Sequence, residues 1–397
     1  MKVVKLGDIA CFNPENLKKS TAGEYEIKYI DIESVNVGKI NAYKDFAFKD
    51  APSRARRIVK SNDILISTVR PYLKAFAKVE DDYGNIICST GFAVMRVNEG
   101  ISSDYVFSYL MSDLFINQLI PKMVGANYPA VSAEDIKECS ISLPAYKEQL
   151  KIASALAEAD TLIQKRKEAI AKLDGLVQSV YDDMFGDYRL NNKDWLVNTL
   201  NEVVVDITAG WSVGGEERPK APTEMAVLKI SSVTSGTFNS AQYKVVDPKL
   251  LLSRALVHPL KDDILFSRAN TRELVGATCM VDADYYDLFL PDKLWKINVS
   301  DKCNPYYFLA VVKNRWFREK LSSKATGTSG SMLNISKSKF LEMEIQMPPK
   351  QLQDRYGKIA ENIQNQKKQM QRQLAKLEEN FQSLLHQAFT GRLQFRD

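Results

Sequence analysis

The 397-residue chain has few of the residues from which active sites are usually assembled. Two histidines, His258 and His386, leave no HExxH motif and no multi-histidine metal site. The five cysteines (Cys11, Cys88, Cys139, Cys279 and Cys303) are scattered, odd in number and never spaced C-x-x-C. That pattern suggests neither a disulfide framework nor a zinc knuckle, and predicts reduced thiols. None of the eighteen glycines lies two residues from another, so G-x-G phosphate or S-adenosylmethionine loops are missing, and no G-x-x-x-x-G-K-S/T occurs. The longest apolar run, Tyr306 to Val312, is far short of the ~20 residues of a membrane span, which predicts a soluble, cytoplasmic protein. A net charge of +5 is too small to make the whole surface a polyanion trap. Nucleic-acid binding would have to come from local basic clusters.

What the chain does have is a globular composition, 45% hydrophobic and 26% charged, with length for two or three domains. It also repeats itself. NDILIS (Asn62–Ser67) returns as DDILFS (Asp262–Ser267), 200 residues on. Ahead of it, Ile30–Ile40 matches Leu228–Phe238 at an offset of 198; behind it, ISLP (Ile141–Pro144) matches IQMP (Ile345–Pro348) at 204. The last offset persists through Gln149 and Gln353, Leu173 and Leu377, and Phe185 and Phe389. An ordered series with a slowly drifting offset marks a diverged tandem duplication.

Each copy has two textures. Residues 1–144 and 188–348 carry short β-branched and aromatic runs bounded by Gly, Asn, Asp and Pro, which predicts strands and turns, with a helix after a Ser or Asn cap near the end of each. Residues 145–187 and 349–397 read as long helices. Leu156, Ile163, Ile170, Val177 and Met184 form one seven-residue series, flanked by Ile152, Ala159, Leu173 and Val180. Tyr356, Ile363, Met370, Leu377 and Leu384 form its counterpart. Forty residues at ~1.5 Å each make a rod of roughly 60 Å. An apolar stripe of that length must be covered, by the other helix or by a partner, and antiparallel pairing is the easiest return path.

Cationic and polar loops are the candidate contacts. The loop after the first D-I-L strand offers Arg70, Tyr72 and Lys74; its counterpart offers Arg268, Asn270, Thr271 and Arg272. Such side chains bind phosphates, and Arg or Asn can read guanine or adenine edges; charged loop tips are also the ordinary solvated surface. A second pair of loops brings Asn127, Tyr128 and Ser132 in one copy and Thr328, Ser329, Ser331 and Asn334 in the other. Arg54 and Arg57 and the run Lys313, Arg315, Arg318, Lys320, Lys324 can clamp phosphates or simply face solvent. Asn304-Pro305-Tyr306-Tyr307 is close to an adenine-methyltransferase motif but lacks its second proline, and a helix cap explains it more simply. Pro291-Asp292 has no following acid-x-Lys, so no nuclease core of that type is visible.

The tandem of variable β-rich domains, the opening Leu6-Gly7-Asp8-Ile9, the D-I-L-x-S strand and the P-x-x-x-x-Q turns into long helices (LPAYKEQ, MPPKQLQ) together resemble the DNA-specificity subunit of type I restriction-modification enzymes. The second copy departs mildly, with Leu200-Asn201-Glu202-Val203 at the first motif. The resemblance covers essentially the whole chain. It implies an α+β fold of two target-recognition domains, each followed by a long helix, with the helices pairing as an antiparallel coiled coil. It implies a non-catalytic reader of a split double-stranded DNA sequence that docks two methyltransferase subunits and, through them, restriction and translocase subunits. S-adenosylmethionine, ATP and Mg²⁺ would belong to those partners, and this chain would need no cofactor, metal or membrane. Carried onto this sequence, Arg70, Tyr72, Lys74 and the 127–132 loop would read one half-site; Arg268, Asn270, Arg272 and the 328–334 loop would read the other, with Trp211 and Ser212 as additional contacts. Leu156, Ile163, Ile170, Leu173, Val177, Ile363, Met370, Leu377 and Leu384 would pair the helices. A helical protein-interaction scaffold without DNA specificity is the other class these features allow.

Overall fold

A computed structural model describes residues 2–251, 255–327 and 332–393. The chain divides into two compact units, 1–168 with 371–397, and 169–370. Each unit therefore takes in part of both 40-residue helices, Tyr146–Phe185 and Lys350–Phe389.

In the first unit the D-I-L motif becomes the strand Ile64–Ser67, buried at every residue. Its sheet runs Ala10–Phe12, Phe92–Val97, Ile64–Ser67, Phe76–Lys78, all antiparallel. The pleat sends Ile64 and Ile66 to one face, with Met95 of the neighbouring strand and Tyr105 and Phe115 from the helical layer. Leu65 goes to the other face, with Ala77, Ile86 and Val94. Burial on both faces is why the run lacks polar alternation. The second sheet runs Lys44–Ala47, Glu26–Ile30, Ile86–Ser89, Ala55–Ile58, and its central pair is parallel. A ribbon of Lys2–Lys5 against Ser140–Leu143 completes the unit's main strands.

The second unit repeats the antiparallel sheet and the ribbon, and its second sheet has three strands where the first unit has four. Val204–Ala209, Leu294–Val299, Ile264–Ser267 and Thr278–Met280 form the antiparallel sheet. Tyr243–Val245, Ala226–Leu228 and Leu288–Phe289 form the other, again with one parallel pair. Leu196–Thr199 pairs with Glu344–Met347 as the ribbon. Ile264 and Phe266 face the helices and Leu265 the second sheet, as in the first unit.

The helix expected near the end of each β-rich part is two helices in each: Ser103–Leu110 and Asp113–Leu119, then Pro305–Lys313 and Arg315–Lys324. Ser112 and Asn314 interrupt them, because each leaves the helical backbone conformation and turns its side chain to a neighbouring helix end. Asn304 is an N-cap, accepting from the Tyr306 N–H at 2.9 Å with Pro305 as the first helical residue, so the methyltransferase-like motif is a cap.

The glutamine of each P-x-x-x-x-Q turn now has a structural reason. Gln149, 2% exposed, accepts the Ser102 N–H at 2.9 Å and donates to the Pro144 carbonyl at 3.0 Å. Gln353, 1% exposed, does the same with Asn304 at 3.0 Å and Pro348 at 2.7 Å. One amide thus ties the start of a long helix to the cap of a domain helix. Gln353→Leu keeps the volume but strands two buried backbone groups, and should destabilise the second unit by about 2–4 kcal/mol in urea titrations. A change under about 0.5 kcal/mol would refute this role.

At the C-terminal end of the first long helix, Gly186 takes φ +80°, and a Cβ there would meet Asn192 Oδ1 at 2.2 Å. That helix ends where only glycine fits.

Candidate nucleic-acid interface

In each unit three segments meet just beyond the end of the D-I-L strand. In the first, Thr68 donates its N–H to the Gly91 carbonyl at 3.0 Å and accepts the Val131 N–H at 2.9 Å. In the second, Arg268 donates to Lys293 at 3.0 Å and accepts from Ile335 at 2.9 Å. The loop ahead of the short capped helix continues this pairing, with Val69 opposite Ala130 in one unit and Ala269 and Asn270 opposite Asn334 and Leu333 in the other. Both pairs of candidate loops are therefore adjacent, on equivalent scaffolds.

The side chains on those scaffolds differ. Arg70 lies in left-handed backbone, φ 48°, as does Lys74, φ 51°, on either side of the turn Pro71–Leu73. That conformation costs a non-glycine residue about 1 kcal/mol, and here it carries the Arg70 guanidinium 4.6 Å from the centre of the Tyr128 ring. Arg70 also donates to the Asn127 carbonyl at 2.9 Å. Tyr128, at 68%, and Tyr72, at 44%, are exposed. Lys74 is tied to Asp113 at 2.7 Å, so its charge is already matched. Arg54 is exposed, and its carbonyl accepts the Thr90 N–H at 3.0 Å, which places it beside the junction.

In the second unit Arg268 donates Nε to the Asp292 carbonyl at 2.8 Å and Nη1 to Asn334 Oδ1 at 2.8 Å, with Nη2 at 3.4 Å from Asp292 Oδ2. Ser212 donates its hydroxyl to the other Asp292 oxygen. Ser212 and Arg268, from two distant segments, thus meet on the Asp292 carboxylate, and Asn334 joins them through Arg268. Arg272 is exposed, while Asn270 and Thr271 are half-buried, the Asn270 side chain accepting the Thr271 N–H at 2.9 Å.

Other candidates sit elsewhere or serve the fold. Arg57 points inward, donating to Asn13 and to the Phe92 carbonyl, and burial holds its guanidinium below the ordinary value. Its strand neighbours Ala55 and Val59 are themselves buried and its Nη1 is spent on the protein, so it serves the fold. Ser132 caps the helix Ala133–Lys137, and its hydroxyl bond holds the Asp135 carboxyl below the usual range. Trp211 packs inward, stacked 5.9 Å from Phe289. In the basic run, Arg318 donates to the Glu273 carbonyl, Lys313 to that of Gly236, and Arg315 pairs with Glu319. Thr328, Ser329 and Ser331 lie outside the described residues. Among the described residues no cluster of His, Cys, Asp or Glu can hold a metal ion, and no helix is long and apolar enough to cross a membrane.

Residues 1–173 and 192–379 match the family model of the type I restriction modification DNA specificity domain. The chain belongs to this family. Among its relatives, the specificity subunit of the Haemophilus influenzae type I restriction enzyme HindI is 25% identical over 143 residues, 35% of this chain and 31% of the relative. The specificity subunit of the Escherichia coli enzyme EcoEI is 26% identical over 161 residues, 40% of this chain and 27% of the relative. The chain thus spans less than a third of either relative's length. A solved chain from work on complex assembly and conformational transition of the type I restriction-modification system is 25% identical, with a TM-score of 0.61, covering 99% of this chain and 98% of that one. The chain is a type I specificity-domain protein with two tandem specificity domains of mixed helix and sheet, and its relatives are specificity subunits rather than catalytic ones.

Proposed function

We propose that this chain is the non-catalytic subunit that chooses the DNA sequence for a type I restriction-modification complex. Each unit reads one half of a bipartite duplex target, and methyltransferase subunits, with restriction and translocase subunits beyond them, supply S-adenosylmethionine, ATP and Mg²⁺ chemistry. The observation that carries this reading is the duplicated junction: one backbone scaffold, repeated, with Arg70 over Tyr128 on one copy and Arg268 with Asp292 and Asn334 on the other. Equivalent frames with unlike polar side chains are what two readers of unlike half-sites require.

The two long helices act in this reading as an antiparallel coiled coil and spacer. Support comes from within each unit. In the first, Lys167 meets Glu378 at 2.9 Å and Arg166 meets Gln373 at 2.6 Å, with Leu156 near Leu385 in one core. In the second, Lys367 meets Asp174 at 2.6 Å and Tyr356 packs 5.4 Å from Phe185. In both, residues later in one helix meet residues earlier in the other. Along the expected stripes Leu156, Ile163 and Ile363 are buried and Ile170, Leu173, Val177, Met370, Leu377 and Leu384 half-buried.

Leu162, off that stripe at 56% exposure, is offered to a docked methyltransferase subunit. Leu162→Asp should weaken co-purification with that subunit at least tenfold, since it removes a leucine that docking would cover and puts a charge there instead, while leaving the melting temperature within a degree or two. Unchanged assembly would exclude that docking face.

The direct test is selection of random duplexes by the full chain assembled with its methyltransferase partner. Two short fixed blocks separated by a constant gap are expected, with a log–log salt slope of about −0.9 for each phosphate contact. Partner binding without sequence enrichment or salt dependence would leave a protein scaffold instead.

A further inference from the structure

We infer that Asp292 is a positioning residue that makes Arg268 a reader of guanine in the half-site met by the second unit. The inference rests on the proposed DNA-reading function and assigns a base to one side chain. Arg268 is anchored from two segments: Nε to the Asp292 carbonyl and Nη1 to Asn334 at 2.8 Å each, and Nη2 beside the Asp292 carboxylate at 3.4 Å. A guanidinium has five N–H donors. One N–H on each of Nη1 and Nη2 therefore has no acceptor among the described residues. A planar fork with two adjacent donors held in place matches the O6 and N7 acceptors of guanine in the major groove. The pair is reachable, with 24% of the Arg268 side chain and 38% of the Asp292 side chain exposed.

Asp292 itself is not the reader. Cytosine would be its natural base, through the N4 amino group, yet both carboxylate oxygens are engaged, one by the Ser212 hydroxyl and one by Arg268. Its charge also matters. A bare carboxylate at a DNA face repels phosphates, whereas here it cancels Arg268, so the pair gains from geometry more than from charge. The first unit does the opposite. The equivalent of Asp292, set by the matching Thr68–Gly91 and Arg268–Lys293 bonds, is the uncharged Thr90. Arg70 rests on the Tyr128 ring and has no carboxylate within ion-pair distance among the described residues. It keeps its full attraction for phosphate.

The experiment compares wild type, Asp292→Asn and Arg268→Lys, each as the full chain in its complex, selecting from one random duplex pool at several salt concentrations. Wild type should demand a guanine in one half of its target. Asp292→Asn should relax that demand roughly tenfold, the scale of one bidentate contact. At the same time its nonspecific affinity should rise and its salt slope steepen by about 0.9, because the uncovered guanidinium gains a phosphate. A merely structural aspartate would instead weaken all binding together with the melting temperature. Arg268→Lys should lose the guanine preference and keep the charge, and the other half of the target should be unchanged throughout. If Asp292→Asn fails to fold, Ser212→Ala, which frees one carboxylate oxygen without altering charge, should give a smaller loosening at the same position. A second half-site without guanine, or one that all these variants read as wild type does, overturns the inference while leaving DNA reading intact. A wild type that enriches no sequence overturns both.

Discussion

Phe185→Ala should destabilise the second unit by about 3–5 kcal/mol, as for other large aromatic truncations in a packed core. The ring is 1% exposed and sits 4.8 Å from Tyr307, 5.0 Å from Tyr181 and 5.4 Å from Tyr356. The location of the damage is the sharper part of the expectation. Phe185 closes the helix that follows the first β-rich part, so sequence order alone would assign it to the first copy. Its core lies in the second unit. The repeat-equivalent Phe389 closes the other helix and fills the core of the first unit, 5.2 Å from Tyr105 and 5.3 Å from Tyr109. Hydrogen exchange should therefore show Phe185→Ala deprotecting the strands between 196 and 347 and Phe389→Ala those between 2 and 143. Loss of protection in the sequence-adjacent part instead would mean that each helix end belongs to the copy preceding it.

That exchange of helix ends explains how far the sequence could be read. The duplication was legible because paired motifs kept their order, and strand pairing follows it in the antiparallel sheets, the ribbons and the one parallel pair of each second sheet. Heptad spacing made the helices legible, since the stripe positions are the residues that escape solvent. Which core each helix end would enter was not legible, because Phe185 and Phe389 are related by the repeat and either assignment satisfies the spacing. The site was legible as loops and less so as side chains. Arg70 and Tyr128 are 58 residues apart, and Arg268 and Asp292 are 24 apart, distances at which no local pattern signals contact. Arg57 looked like surface charge because its acceptors, Asn13 and Phe92, lie far away in sequence. Trp211 lies in a Gly-bounded stretch, Gly210 to Gly214, that reads as a loop, yet a sheet residue, Phe289, supplies the face it stacks on.

The aspartate of the D-I-L motif yields the other large effect. Asp63 is 1% exposed, accepts two Arg96 donors at 2.7 Å each, and accepts the Lys60 N–H at 2.9 Å. Asp263 repeats the arrangement with Lys296 at 2.7 Å and the Leu260 N–H at 2.7 Å. The motif thus joins a strand start to a cation on the neighbouring strand and closes the turn before it. Asp63→Ala leaves a partly buried guanidinium and an orphaned N–H. Breaking a buried pair from one side costs 3–5 kcal/mol, and because the Arg96 side chain is 28% exposed and keeps Glu15 at 2.6 Å, a loss of about 3 kcal/mol is expected. Asp63→Asn retains an acceptor for the Lys60 N–H and should lose less. The same network sets a pH response. Hydrogen bonds from Lys60 and Arg96 hold the Glu15 carboxyl below its usual value, so its contribution is present above the unfolded carboxylate range and disappears as pH falls through the lowered folded value. In denaturant titrations the wild type should lose stability on acidification below about pH 4.5, and Glu15→Gln should flatten that part of the decline. An Asp63→Ala loss under 1 kcal/mol would show that the motif is kept for some reason other than this pair.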